Sequence, residues 1–464
     1  MKSLTPRAIV DGLDRYIIGQ GEVKRALAIA LTNRERRKKL PPEIKQDIMP
    51  KNILLVGPTG VGKTEIARRV ASLIDAPFLK VDATRFTEVG YVGKDAESVV
   101  HDLVEVCATK VYQDKLKEVE TKAEKLASDK IVNYLCRQRR VVSKRVVAKT
   151  QRSSGATAQA AKSRRVTAAT RQRVSELLHS NQLEDQVIEI EIDRDFEERG
   201  NLFSSPAGRG LDEIDALFEE FDQNLRRYGA GQRRRKVRVK EARRILAREE
   251  ANKLLDFDEL VEQAIDQAEE DTVVFIDEID KLVAPRVEVG RDVSGEGVQR
   301  DLLPLVEGTV VMTRYGPVRT DHILFIAAGT FSNNRPSDLI PEFQGRFPLQ
   351  AELSSLSQHD FERILIEPDN ALTKQYTALM ATEGVTLSFT SDGVSEIARV
   401  AAQMNEGMEN IGARRLHTVM ERVLEEVSFS APERMGEEVV VDAAYVSRLA
   451  TNFGSGQSLS NYIL

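Results

Sequence analysis

The spacing of apolar residues changes along the chain, and each change marks an element. Ile53-Leu54-Leu55-Val56 is an unbroken apolar run and predicts a strand buried on both faces. Glu65 to Ala71 follows with helical spacing. Phe78 to Asp82, Val273 to Ile276 and His322 to Gly329 predict three more strands of the same kind. A helix-like run extends from Glu22 to about Lys39. From about Asp95 to Leu135 the pattern is helical and heavily charged, with Val111, Leu116, Val119 and Leu126 as its apolar positions. Glu184 to Glu198 is acidic, and its alternation at Val187, Ile188, Ile190 and Ile192 predicts a strand. From Leu353 onward the pattern is helical, with short strands at Leu387 to Phe389 and at Val439 to Val441. No internal repeat is evident.

Composition narrows the class. A chain of 464 residues suggests several domains, and 41% hydrophobic with 30% charged residues describes a soluble globular protein. The net charge of −6 argues against a general affinity for nucleic acid. No apolar run approaches the ~18 residues of a membrane helix, and Met1 to Pro6 lacks an apolar signal core. Cys107 and Cys136 have no metal-ligand spacing and suit free thiols in a reducing compartment. Together these features predict a cytoplasmic protein with no membrane partner. Residues 137–173 hold twelve Lys and Arg and no Asp or Glu, which predicts a solvated or disordered arm. Arg199 to Gly210 reads as a second flexible stretch.

The chemistry starts at Gly57-Pro58-Thr59-Gly60-Val61-Gly62-Lys63-Thr64, between the first strand and its helix. Strand, G-x-x-x-x-G-K-T and helix in that order form a P-loop. Glycines let backbone N–H groups face phosphates without a Cβ in the way, and the helix N-terminus adds partial positive charge. Lys63 can reach the β- and γ-phosphates, and the Thr64 hydroxyl can ligate Mg²⁺. Val273 to Ile276 followed by Asp277-Glu278 is a Walker B pattern. There Asp277 can hold Mg²⁺, and Glu278 can orient and deprotonate an attacking water. Lys63 and Asp277 lie 214 positions apart, more than one compact α/β domain needs, so a domain is inserted between them. The expected divisions are 1–110 and 265–350 for a split ATPase domain, 111–264 for the insert and 351–464 for a C-terminal domain.

Four further stretches admit two readings each. Ile17-Ile18 before Gly19-Gln20 suits either a core strand end or an adenine pocket. Gly90-Tyr91-Val92-Gly93 is a surface turn or a mobile loop displaying Tyr91. In Pro341 to Phe347, Gly345-Arg346 forms a surface ion pair or offers an arginine finger to a neighbouring subunit. Gly412-Ala413-Arg414-Arg415-Leu416 opens an amphipathic helix, either simply exposed or placing an Arg over phosphates.

Taken in order, these motifs resemble the AAA+ superfamily and, within it, the HslU (ClpY) family, the unfoldase subunits of bacterial HslUV proteases. The tail Leu459 to Leu464 resembles that family's C-terminus too. The resemblance implies an α/β AAA+ P-loop NTPase domain, a largely helical inserted domain and a C-terminal, mainly helical α+β domain. It implies a homohexameric ring ATPase of the stress response that uses ATP and Mg²⁺ to unfold tagged or unfolded protein substrates. The products would be threaded into HslV, a separate threonine peptidase. Carried over by motif, the ATP contacts are Ile18, Gly60, Val61, Gly62, Lys63, Thr64, Glu65, Asp277, Glu342 and Arg414, with Thr64 and Asp277 at the metal. Glu278 and Lys63 act in catalysis with Arg346 as the finger in trans. Gly90, Tyr91, Val92 and Gly93 form the substrate-gripping pore loop, and Tyr462, Ile463 and Leu464 dock the peptidase.

Two features depart from this pattern. The basic run at 137–173 is longer and more positive than the family's intermediate domain leads one to expect. The strand at 322–329 leads into Gly329-Thr330, without the Asn that many AAA+ proteins use as a phosphate sensor; the HslU family also lacks it, so this departs from the generic AAA+ pattern only, and no sensor is assigned there. Two competing functions are a nucleic-acid motor, motivated by the basic arm, and a standalone chaperone. The net charge and the absence of a nucleic-acid-binding module oppose the first. The apolar terminus opposes the second.

Overall fold

The computed structural model describes residues 5–86, 95–150, 168–193, 232–283, 295–407 and 410–450. Its strands are β1 (Ile53–Val56), β2 (Phe78–Asp82), β3 (Val187–Asp193), β4 (Gln232–Arg238), β5 (Val273–Asp277), β6 (Val310–Thr313), β7 (Gly316–Arg319), β8 (Leu324–Gly329), β9 (Leu349–Glu352), β10 (Thr386–Phe389) and β11 (Glu438–Val441). The chain divides into two units, Met1–Leu103 with Gln267–Leu464, and Val104–Asp266.

In the first unit, five parallel strands form one sheet in the order β2-β5-β8-β1-β9. Strands from both sides of the long insertion therefore interleave. The central strands are apolar throughout because a parallel sheet is covered on both faces. Ile53, Leu55, Val273, Phe275, Leu324 and Ile326 are buried in one core with the helices Pro6–Asp14, Gly21–Arg37 and Lys63–Leu73. Parallel strands all present their carboxyl ends along one edge, where open α/β sheets bind ligands. That edge carries Gly57 after β1, Glu278 after β5 and Thr330 after β8. The β6–β7 hairpin, Val310 to Arg319, is an element the apolar pattern did not reveal, since Val310 and Met312 face solvent.

The C-terminal part of this unit has its own core, in which Phe361, Leu365, Ile397, Leu416, Val419 and Val423 are buried. It comprises the helices Gln358–Ile366, Leu372–Thr382, Ser391–Gly407, Arg414–Ser430 and Ala443–Ala450 around the parallel pair β10–β11. Ser357 and Asp360 form a capping box at the first of these helices.

The second unit packs a helical core on one hairpin. β3 and β4 pair antiparallel from Val187↔Arg238 to Asp193↔Gln232. Ile188, Ile190 and Val237 face a cluster with Ile131, Leu135, Leu178 and Leu246. The long helix is one element, Ser98–Thr150, so it does not end near Leu135. Residues 137–150 of the expected arm are therefore helical, because that stretch has no Gly or Pro and Lys and Arg are good helix formers. Arg171 and Arg173 lie on the helix Ala168–His179, and Arg171 reaches Asp129 at 3.5 Å. Residues 151–167 and the stretch Arg199 to Gly210 lie outside the described residues.

Candidate active site

The site is built where β1, β5 and β8 end. After β1 the chain turns through Gly60 and Gly62, whose φ values of +75° and +101° favour glycine. The helix Lys63–Leu73 starts at once, and its first-turn N–H groups have no acceptor within the helix. Ile66 N is the first amide to close a turn, on Gly62 O at 2.8 Å. Lys63 is buried, and its Nζ donates to Gly57 O at 2.6 Å and Pro58 O at 2.9 Å. Burial lowers the Lys63 ammonium below its ordinary value. Asp277 and Asp280 act against that shift, and Arg414 adds to it.

Asp277 ends β5 and is fixed on both oxygens. Its Oδ2 accepts from Thr64 Oγ1 at 3.2 Å and pairs with Lys80 Nζ at 2.7 Å, while Oδ1 accepts from the Glu278 amide at 3.2 Å. Glu278 is exposed and left-handed, with φ of 57°, a conformation uncommon outside glycine. Beside it, Thr330 at the end of β8 donates from Oγ1 to Asp280 Oδ2 at 2.7 Å.

The opposite wall comes from two sources. The loop after the first helix buries Ile17 and Ile18, and the Tyr16 ring lies 3.9 Å beneath the Arg69 guanidinium. Gln20 clamps this loop onto Ser354, donating to its carbonyl at 2.9 Å and accepting from its amide at 3.1 Å. From the C-terminal part, Arg414 and His417 on one helix join Leu356, Ile364 and Leu372. Together they enclose a cleft of about 680 Å³, within the range of small-molecule sites.

Gly60 has a reason the motif did not disclose. A Cβ there would lie 1.9 Å from Ile411 O, so the P-loop backbone sits directly against the Ile411-Gly412 loop. At Gly62 an added Cβ would meet nothing.

A family model described as "ATPase family associated with various cellular activities (AAA)" matches residues 53–181, and one described as "AAA domain (Cdc48 subfamily)" matches residues 201–350. Among similar proteins, one named "ATP-dependent protease ATPase subunit HslU" from Thermotoga maritima is 51% identical over 463 residues, 99% of each chain. Proteins of the same name from Persephonella marina and Rhodospirillum centenum are 47% and 49% identical. They align with all of this chain and with 99% and 100% of their own. The chain belongs to the HslU family.

It is thus an AAA+ ATPase. Of the residues expected at the nucleotide, Ile18, Gly60, Val61, Gly62, Lys63, Thr64, Glu65, Asp277, Glu278 and Arg414 all line the cleft in this HslU-family chain. Glu342 and Arg346 do not. Both are exposed on the short helix Pro341–Arg346, where the Arg346 guanidinium pairs with Glu307 at 2.9 Å. Gly90, Tyr91, Val92 and Gly93, and Tyr462, Ile463 and Leu464, lie outside the described residues.

Sequence reasoning missed Lys80, Asp280 and Thr330. Lys80 is the one charge inside an otherwise apolar strand, Phe78 to Val81, which was a usable signal. Asp280 stands three positions after Asp277, at the start of a tight turn, Ile279–Leu282. Thr330 was passed over because only an Asn was sought there. Among the described residues no group of three or more His, Cys, Asp or Glu could hold a metal, and no helix is long and apolar enough to cross a membrane.

Proposed function

We propose that this ATPase works as a hexameric ring that hydrolyses Mg²⁺-ATP to unfold protein substrates and thread them into the HslV peptidase, in the cytoplasm. The observation that carries the reading is the convergence of Lys63, Thr64, Asp277, Glu278 and Arg414 on one cleft. The full-length likeness to proteins named as protease ATPase subunits supports it.

The cleft has two chemical ends. Ile17, Ile18 and Leu356 offer an apolar wall suited to a purine. The N–H groups of Lys63, Thr64 and Glu65 offer donors suited to phosphates. Thr64 Oγ1 and Asp277 Oδ2 lie 3.2 Å apart, a pair of hard oxygen donors that would hold Mg²⁺. When bound, Mg²⁺-ATP would supply a transferable phosphoryl group and neutralisation of its charge. Lys63 exchanges its two carbonyl acceptors for phosphate oxygens. Glu278 accepts hydrogen bonds from the attacking water, orients it and takes its proton on the side-chain carboxylate. Arg414, at the first turn of its helix, holds the phosphates to the C-terminal part.

Arg346 acts on the neighbouring subunit's nucleotide, and Glu342 beside it belongs to the same shared face. Their position outside their own cleft supports this. Tyr91 between its glycines grips substrate, and Tyr462, Ile463 and Leu464 dock the peptidase.

A panel of three variants tests the reading. Glu278→Gln should bind ATP at parental affinity and hydrolyse none. Tyr91→Ala should hydrolyse ATP but fail to unfold a stable tagged protein. Deleting Asn461 to Leu464 should leave basal hydrolysis intact and abolish activation of the peptidase. Parental hydrolysis by Glu278→Gln removes that residue from the chemistry. Parental degradation by the truncated chain removes the tail from docking.

A further inference from the structure

We propose that Asp280 and Thr330 are a positioning pair that sets the place of the Glu278 carboxylate, so that turnover, and not nucleotide binding, depends on the Thr330 hydroxyl. The proposal rests on the reading of Glu278 as the group that activates water.

β5 and β8 are paired neighbours up to Ile276↔Ala327. Beyond that register both chains turn, and each turn holds a left-handed residue that is not glycine. These are Glu278, with φ of 57°, and Phe331, with φ of 51°. Such conformations persist only where surroundings hold them. What joins the two turns is Asp280. It is 7% exposed, and its Oδ2 accepts from Thr330 Oγ1 at 2.7 Å and from the Phe331 amide at 3.4 Å. Its main-chain carbonyl accepts from Asn334 Nδ2 at 3.4 Å. The approach is close enough that a Cβ on Gly329 would lie 3.0 Å from Asp280 Oδ1 and 2.5 Å from the Phe331 ring.

Asp280 is the second residue of the turn Ile279–Leu282, and Glu278 is the residue that leads into it. The far end of that turn is held separately, by Gln299 Nε2 donating to Leu282 O at 2.9 Å. The near end has the Asp280 contacts and the Glu278 amide on Asp277 Oδ1. Of the carboxylate's two contacts with the β8 turn, the short one is the Thr330 hydroxyl. Without it, Asp280 keeps only the longer amide contact, and the turn that aims Glu278 loosens. Small misplacements of a reacting group are costly in rate.

The test uses the full-length protein. Thr330→Val keeps the shape and removes the hydroxyl; Thr330→Ser keeps the hydroxyl. Thr330→Val should lower kcat at least about tenfold with KM within about twofold, the signature of an interaction that matters in the transition state. Thr330→Ser should restore most of kcat. Thr330→Ala should repeat the Val result, so the outcome does not hang on one variant's folding, which equilibrium ATP binding checks. In a Glu278→Ala background, Thr330→Val should change the residual single-turnover rate by less than about twofold, because the two act as one unit. Parental kcat in both Thr330→Val and Thr330→Ala, a change confined to KM, or no rescue by Ser overturns the pair. Parental turnover by Glu278→Ala overturns instead the reading of Glu278, whatever the Thr330 variants do.

Discussion

The carbonyl of Gly60 accepts a hydrogen bond from the amide of Ala413 at 3.0 Å, joining the P-loop to the residue before Arg414. The phosphate-binding loop and the C-terminal part are therefore in main-chain contact within the first unit. The placement of Arg414 is thus linked to the P-loop through backbone.

Gly60→Ala should disrupt that seat. Its Cβ would meet Ile411 O at 1.9 Å, in a backbone conformation that L residues already avoid. Gly62→Ala carries only the backbone penalty, about 1–2 kcal/mol, since its Cβ meets nothing. Thermal melting without nucleotide should therefore fall further for Gly60→Ala than for Gly62→Ala. Equal losses would show that the Ile411 loop yields at no cost.

Arg346 and Glu307 form an exposed pair, with side chains 43% and 37% accessible. Such pairs contribute about 0–1 kcal/mol. Glu307→Gln should thus barely move the melting temperature or the ATPase rate. Arg346→Ala should bind ATP yet hydrolyse poorly in the assembled protein, and mixing it with Glu278→Gln subunits should restore part of the activity. Failure of every mixing ratio would return Arg346 to a local structural role.

Ser357 and Asp360 give a pH-dependent cap. Burial pushes the Asp360 carboxyl up, but hydrogen bonds from the Ser357 amide and hydroxyl outweigh it and hold the group below its ordinary value. A depressed carboxyl adds stability above its unfolded pKa, and that stability is lost as pH falls through the folded value. Ser357→Ala should cost about 1 kcal/mol at neutral pH and less under acid conditions where Asp360 is protonated. Urea titrations at several pH values read the difference; a pH-independent cost would contradict the assignment.

Lys130 anchors the second unit. It pairs with Glu249 at 3.1 Å and with Glu250, whose side chains are 4% and 11% exposed. Burial opposes the ammonium, yet hydrogen bonding to Glu250 and the Glu249 charge raise it above its ordinary value. Lys253 also pairs with both carboxylates, so Lys130→Met should leave them sharing one cation and cost roughly 1–3 kcal/mol. Limited proteolysis should then open the 104–266 unit first, while nucleotide binding persists. Unchanged protection of that unit would place the pair among weak surface contacts.

What the sequence determined by itself is the local grammar. Unbroken apolar runs at Ile53 to Val56 and Val273 to Ile276 predict strands buried on both faces, and a strand followed by Gly57 to Thr64 and a helix is the P-loop pattern. The Asp277-Glu278 pair, the Arg414 helix start and the long insertion were legible for the same reason, because spacing along the chain carries them. Tertiary structure decided whatever depends on contacts between distant segments. Asp280 and Thr330 stand 50 positions apart and meet only because β5 and β8 are neighbours. Gly60 read as a phosphate-loop glycine, while its close neighbour is Ile411, brought there by the fold of the C-terminal part. Residues 137–150 read as a solvated or disordered arm on charge alone, and their backbone proves to continue a helix whose earlier turns are packed in a core. Composition reports what a segment can bury by itself; packing decides what its neighbours bury for it.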